Sequence, residues 1–205
     1  MMMKMSKKTW ISALLLAGAS LAQATAVVGQ PAPVFSISDS QGKTVSLADY
    51  KGKHVVLEWV NPGCPFVKKH YDSGNMPATQ KSAADKGVVW LAVSSTAKSA
   101  SDYLAPPQLD AWLSSKQAAP KATLMDDDGK LGRAYGARTT PHMYVIDPAG
   151  TLVYAGAIDS KPTANPADIK TATNYVSQAL SETLAGKPVS RPSSTAYGCT
   201  IKYAS

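Results

Sequence analysis

Cysteine is scarce in this sequence: 205 residues contain two, Cys64 and Cys199. So few cannot build a small disulfide scaffold. Any bridge must supplement a hydrophobic core, and the length suits one ordinary domain. A dense Lys/Arg stripe interleaved with aromatics is also missing, which leaves nucleic-acid binding little support despite a formal net charge of +7. The apolar run Trp10 to Leu21 is too short, and too rich in Ala, Gly and Ser, to span a membrane comfortably. No internal repeat is visible. The acidic run Asp126-Asp127-Asp128-Gly129 lacks a glutamate at the twelfth loop position, so it reads as a solvated turn rather than a calcium loop.

What is present begins with a leader. Lys4, Lys7 and Lys8 precede the apolar run, and Ala22-Gln-Ala-Thr-Ala26 supplies a small-residue cleavage site. Residues 1–26 therefore read as a secretory signal peptide, cut after Ala26 or alternatively after Ala24. The mature chain is expected to be periplasmic or secreted, free of the membrane, with its formal charge reduced to +4 because three lysines and no acids are lost. In an exported protein an even cysteine pair is a candidate disulfide.

The chain is organised around Glu58-Trp-Val-Asn-Pro-Gly-Cys-Pro-Phe-Val-Lys-Lys-His70. The apolar run His54–Val60 reads as a buried strand that stops at the turn Asn61-Pro62-Gly63. Cys64 then opens a helix, with Pro65 suited to the first helical position. That places a sulfur where unpaired backbone N–H groups and the positive end of the helix dipole favour a thiolate. Before it, Phe35–Ser38 and Lys43–Leu47 form a hairpin, and Ser46 with Asp49 caps a short turn. After it come a helix from Met76 to Asp85, an apolar strand Val88–Val93, a helix from Pro107 to Lys116 and a strand Lys121–Met125. A helical turn Lys130–Tyr135 and the hairpin His142–Ile146/Thr151–Ala155 follow. A long helix is expected from Asp168 to Leu184, with Ile169, Ala172, Val176, Ala179, Leu180 and Leu184 on one stripe. Continuous apolar strands buried on both faces indicate a sheet covered by helices.

This order resembles the thioredoxin fold in the version found in the redoxin group, an α/β three-layer fold with a central mixed sheet, helices on both faces and an N-terminal β-hairpin. The features that carry the resemblance are Gly29-Gln-Pro-Ala-Pro33, the Gly42-Lys-Thr-Val-Ser-Leu47 arm, Cys64 at its strand-to-helix turn, and Thr140-Pro141 before a strand. It covers roughly residues 28–185. The domains expected are thus the leader 1–26, a redoxin domain 27–185, and a tail 186–205 carrying Cys199. The Cys-Pro-Phe-Val motif with a late cysteine is similar to exported peroxiredoxin-like proteins related to alkyl hydroperoxide reductase and thiol-specific antioxidant. Two departures matter. Cys64 falls on the first cysteine of a thioredoxin Cys-x-x-Cys, but Val67 occupies the second. Typical peroxiredoxins place their peroxide-reacting cysteine where Val67 stands.

The resemblance implies Cys64 as nucleophile and Cys199, on a tail flexible enough to return to it, as either a resolving cysteine or a permanent staple. Glu58 matches the buried acid of thioredoxins and would exchange a proton with a thiol. Thr140 and a cis Pro141 would offer backbone hydrogen bonds to a substrate. His142 is the better placed of two histidines for a thiolate–imidazole copper or zinc site, His70 pointing away from Cys64; both read as packing or surface residues, as Arg133 and Arg138 read as solvated. No metal and no cofactor is assigned. The leading expectation is an exported thiol–disulfide oxidoreductase acting on a protein or small-molecule thiol or disulfide, and recharged by an exported thiol reductant. The alternatives are a non-enzymatic binding module with a structural bridge, a hydroperoxidase acting on peroxide, and, more remotely, a metal chaperone.

Overall fold

A computed structural model describes residues 25–204. The expected leader lies outside the described residues except for Thr25 and Ala26. The Ala26 amide donates to the Ala134 carbonyl at 2.9 Å. Among the described residues no helix is long and apolar enough to cross a membrane.

Five strands form the central mixed sheet: β3 (Val55–Trp59), β4 (Val89–Ser94), β5 (Ala122–Met125), β7 (His142–Ile146) and β8 (Leu152–Gly156), in the order β5-β4-β3-β7-β8. β3 runs parallel to β4 and antiparallel to β7. All five residues of β3 are buried, as its uninterrupted apolar character requires. Alternation divides them. Val56 faces a layer built with Val67 and Tyr71 of α1 (Pro65–Asp72), Met76 and Ala83 of α2 (Asn75–Ala84), Leu109 and Leu113 of α3 (Pro106–Ser115), and Val176, Ala179 and Leu180 of α5 (Tyr175–Leu184). Val55, Leu57 and Trp59 face the opposite layer, with Leu131 and Tyr135 of α4 (Lys130–Tyr135), Val45 and Ile201.

The amino-terminal hairpin, β1 (Ser36–Ser38) with β2 (Thr44–Ser46), covers that second layer. Its tip bonds to β5 through the Ser40 amide and the Thr123 carbonyl, at 2.8 Å. The expected Ser46/Asp49 cap is present as a reciprocal capping box on a 3-10 turn, Leu47–Tyr50. At the other sheet edge the tail lies beside β8, where Ala155 donates to the Pro192 carbonyl and Ser194 to the Ala155 carbonyl. Both open edges of the sheet are thereby occupied by the chain itself.

Three expectations need correction. The long terminal helix begins at Tyr175, not Asp168; Pro166–Thr171 is a separate 3-10 turn and Ala172 is extended. Asn174 caps the real helix by accepting from the Ser177 amide at 2.9 Å, and its own backbone bridges to Asp159, so chain pairing wins over helical continuation. The acidic turn is not solvated throughout. Asp126 is buried, accepting from Ser95 Oγ and from the Leu131 and Gly132 amides, so it satisfies the first turn of α4. Burial raises its pKa despite those donors. Finally, the tail is anchored along its length rather than free, as its contacts with the site make plain.

Candidate functional site

The register of the sheet builds the site. Trp59 at the end of β3 pairs with His142 at the start of β7. The chain leaving β3 toward Cys64 and the chain entering β7 from Pro141 are therefore neighbours. Asn61 shapes the intervening turn: its Oδ1 accepts from the Gly63 amide at 2.7 Å, while its Nδ2 donates to Thr96 and Asp102. Cys64 takes extended backbone angles at the N-cap of α1 with Pro65 at N1. The Thr140–Pro141 peptide is cis, and the Thr140 carbonyl oxygen lies 3.0 Å from Cys64 Sγ.

Cys199 completes the cluster. It forms a disulfide with Cys64 across 135 residues, with the Cα atoms 5.8 Å apart. Residues Cys199–Thr200 form a short strand, β9, antiparallel to β6 (Thr139–Thr140), with Cys199 opposite Thr140. The pairing needs glycine before the cysteine. Gly198 has φ +139°, and a Cβ built there would overlap the Thr140 carbonyl. Four of the five residues singled out from the sequence thus meet at one point: Cys64, Cys199, Thr140 and Pro141.

Glu58 is elsewhere in the same layer. It is fully buried, and its carboxylate accepts from Tyr71 Oη (2.6 Å), Trp90 Nε1 (2.7 Å) and Gln80 Nε2 (3.0 Å). Desolvation raises its pKa, opposed by those three donors. Among the described residues no hydrogen bond joins it to the disulfide.

Three effects act on the Cys64 sulfur. The amino-terminus of α1 favours a thiolate. Burial, at 2% exposure, and the Thr140 carbonyl both favour the neutral thiol. Lys69, five residues on in α1, is buried and paired with Asp159 at 3.2 Å, while Lys68 is exposed. His142 stacks on Tyr144 with its pKa pushed down to about 4, chiefly by burial. Arg133 is exposed, lies over the Tyr203 ring and donates to the Ala204 carbonyl. Among the described residues no group of three His, Cys, Asp or Glu side chains has the arrangement to hold a metal.

Sequence reasoning missed a buried polar cluster behind Cys64. Lys69 and His70, both on α1, converge with Asp159 on Tyr197 of the tail. The Tyr197 hydroxyl donates to Asp159 Oδ1 and lies 3.2 Å from His70 Nε2. Asn75 Nδ2 donates to His70 Nδ1 at 2.8 Å, which leaves the ring proton on Nε2, facing Tyr197. Lys69 Nζ also donates to the Lys161 carbonyl at 2.8 Å. Helical spacing shows only that Lys69 and His70 adjoin; the single hint in the sequence is an aromatic residue two positions before a cysteine.

The AhpC/TSA family model matches residues 28–155. The chain belongs to the AhpC/TSA family. Peroxiredoxin Bcp of Bacillus subtilis (strain 168) is 28% identical over 115 residues, which cover 54% of this chain and 64% of that protein. This AhpC/TSA chain therefore spans just under two thirds of that curated relative. Among solved structures, an uncharacterized conserved protein from Geobacillus kaustophilus superposes with a TM-score of 0.71 at 26% identity, covering 87% of this chain and 93% of that one. A hypothetical protein from Sinorhizobium meliloti 1021 gives 0.73 at 22% identity, covering 88% and 97%. A putative thiol:disulfide interchange protein DsbE from Chlorobium tepidum gives 0.52 at 24% identity, covering 64% and 85%. The last two likenesses establish the thioredoxin-like fold alone. Val67, where typical peroxiredoxins are expected to carry their reactive cysteine, is wholly buried in this family member.

Proposed function

We propose that this protein is an exported thiol–disulfide oxidoreductase in which Cys64 and Cys199 are the exchanging pair. The observation that carries the reading is Cys64 at the start of α1, bonded to a cysteine whose strand pairs with the residue before Pro141. In the reducing direction, the Cys64 thiolate attacks one sulfur of a client disulfide. A mixed disulfide forms and the client's other sulfur leaves as a thiolate. Cys199, losing its proton, then attacks the Cys64 sulfur, closing the internal disulfide and expelling the second client thiolate. An exported thiol reductant returns two electrons to the pair. Cys199 is partly exposed whereas Cys64 is buried, so the reductant's thiolate meets the Cys199 sulfur and Cys64 departs from the helix terminus as the leaving group. Thr140 and Pro141 frame the exchange, and Glu58 serves as the buried proton store of the layer beneath it.

Two measurements test this. Equilibration with glutathione should place the reduction potential above roughly −300 mV; a lower value makes the bond a staple, the reading favoured by the burial of Cys64. In a Cys199→Ser variant, alkylation against pH should put the Cys64 thiol below its ordinary value of about 8.5, and a normal or raised value removes it as nucleophile. Family membership supports a hydroperoxidase as the second reading. In that case Cys64 would attack the peroxide, giving a sulfenic acid and releasing water or an alcohol, and Cys199 would resolve it to the disulfide with loss of water. Dimedone labelling of the Cys199→Ser variant after peroxide treatment should then be stoichiometric at Cys64, and absence of label rules it out.

A further inference from the structure

The tail is fixed on both sides of Cys199. Before it, Ser194 Oγ accepts from the Ala157 amide at 2.9 Å and pairs with Tyr154 Oη at 2.7 Å. After it, the buried Ile201 donates its amide to the Arg138 carbonyl at 3.0 Å, and Tyr203 Oη donates to the Ala137 carbonyl at 2.7 Å. Between these points one side chain besides Cys199 itself packs against the core: Tyr197, whose hydroxyl enters the Lys69–His70–Asp159 cluster and whose ring packs edge-on against Phe66, centroids 5.8 Å apart. Phe66 lies two residues after Cys64 and Tyr197 two before Cys199. The aromatic contact and the disulfide thus join the same two segments.

We propose that Tyr197, together with Gly198, positions Cys199 against Cys64 and thereby sets the strength of the disulfide. In the oxidised protein the covalent bond holds the tail. In the reduced protein only non-covalent anchors keep the thiols together, so their strength fixes the effective concentration of one thiol at the other. Tyr197 anchors the span that would otherwise bow outward, and Gly198 lets the chain pass flush against the Thr140 carbonyl. Lys69, His70, Asp159 and the Lys161 carbonyl surround the phenol and its acceptor. This deepens the oxidoreductase reading, and as a statement about function it rests on that reading.

The test is the equilibrium constant for closing the bond with glutathione disulfide, a reaction that passes two electrons and two protons from Cys64 and Cys199 to give two glutathione thiols. Tyr197→Phe removes the hydroxyl and keeps the ring. It should lower that constant about tenfold, the usual worth of a buried hydrogen bond to a charged acceptor, which is ~30 mV for a two-electron couple. Gly198→Ala should lower it at least as much. A purely structural tyrosine would destabilise oxidised and reduced protein alike and leave the constant unchanged; that result overturns the proposal. Should either variant fail to fold, hydrogen exchange on reduced wild-type protein decides: the Ile201 amide, which donates to the Arg138 carbonyl beside the Cys199 strand, should stay protected after reduction, and loss of its protection refutes the positioning. The oxidoreductase reading fails separately. A wild-type bond that glutathione cannot reduce would end it while leaving the shift between wild type and Tyr197→Phe, then read against dithiothreitol, intact.

Discussion

Opening the bond between Cys64 and Cys199 frees a loop of 135 residues in the unfolded chain. By the chain-entropy relation, a cross-link over that span removes about 5 kcal/mol of conformational freedom from the denatured ensemble at 25 °C. This is near the upper end of what single disulfides deliver. It is also a large share of the ~5–15 kcal/mol by which domains are stable. Urea unfolding of oxidised protein, of dithiothreitol-reduced protein and of a Cys199→Ser variant measures it directly. With a slope of ~2 kcal/mol per molar urea, the midpoint should fall by ~2–3 M on reduction, and the serine variant should match the reduced form within ~1 kcal/mol. The same number has a redox meaning through the thermodynamic cycle. A fold stabilised ~5 kcal/mol by the bond stabilises the bond equally, making the pair ~100 mV more reducing in the native state than in the unfolded chain. A midpoint shift worth less than ~1 kcal/mol, with both forms folded, would refute the argument.

Glu58→Gln should cost ~1–3 kcal/mol, because the amide cannot accept from Tyr71, Trp90 and Gln80 together. Since burial raises the folded pKa of Glu58 above its unfolded value, the native state holds that proton more tightly; the advantage of wild type over the variant should narrow as pH rises through that interval, and a widening gap refutes it. Gly132→Ala should destabilise by ~1–3 kcal/mol, since a Cβ there would sit 2.6 Å from Tyr203 Cε1; a Tyr203→Ala background should recover most of that cost, and additive losses in the double-mutant cycle would count against the contact. His70 and His142 are both pushed down to about 4, chiefly by burial, so each contributes stability that is present above pH ~6.5 and is lost as pH falls toward 4, up to ~3 kcal/mol apiece. A flat stability profile between pH 7 and 4.5 would show that the imidazoles are free to protonate in the folded state.

The local chemistry of the fold was legible in the sequence because each element carries its own signal. β3 announces itself by an unbroken β-branched and aromatic run, the short turn after β2 by Ser46 and Asp49, and α1 by turn residues followed by a cysteine and Pro65. The misreadings share a physical origin: a residue's local pattern was overridden by a partner distant in the chain. Ile169 and Ala172 keep helical spacing with Val176, yet the backbone bridge between Asp159 and Asn174 restarts the helix at Tyr175. Asp126 looks like one of three solvated acids until Ser95 and the amides of α4 close around it.

The site divides along the same line. Cys64 is found by its turn and Thr140–Pro141 by its place before β7, both local features whose meeting follows from the Trp59–His142 register. Cys199 can be named as a candidate partner only because it is the other cysteine; its neighbours Tyr197 and Gly198 form no local pattern that says where it docks. That specification is spread over residues that share no period with it: the free edge of Thr139–Thr140, the missing side chain at Gly198, and the phenol of Tyr197 inserted beside His70 and Asp159. A buried Lys–Asp pair is weak evidence for stability on its own, since its desolvation opposes its attraction. Placed behind α1 and closed by a tyrosine from the tail, Lys69 and Asp159 act instead as a socket that selects one path for the last residues of the chain. It is that choice of path, more than any feature of Cys64, that brings the second sulfur to the first.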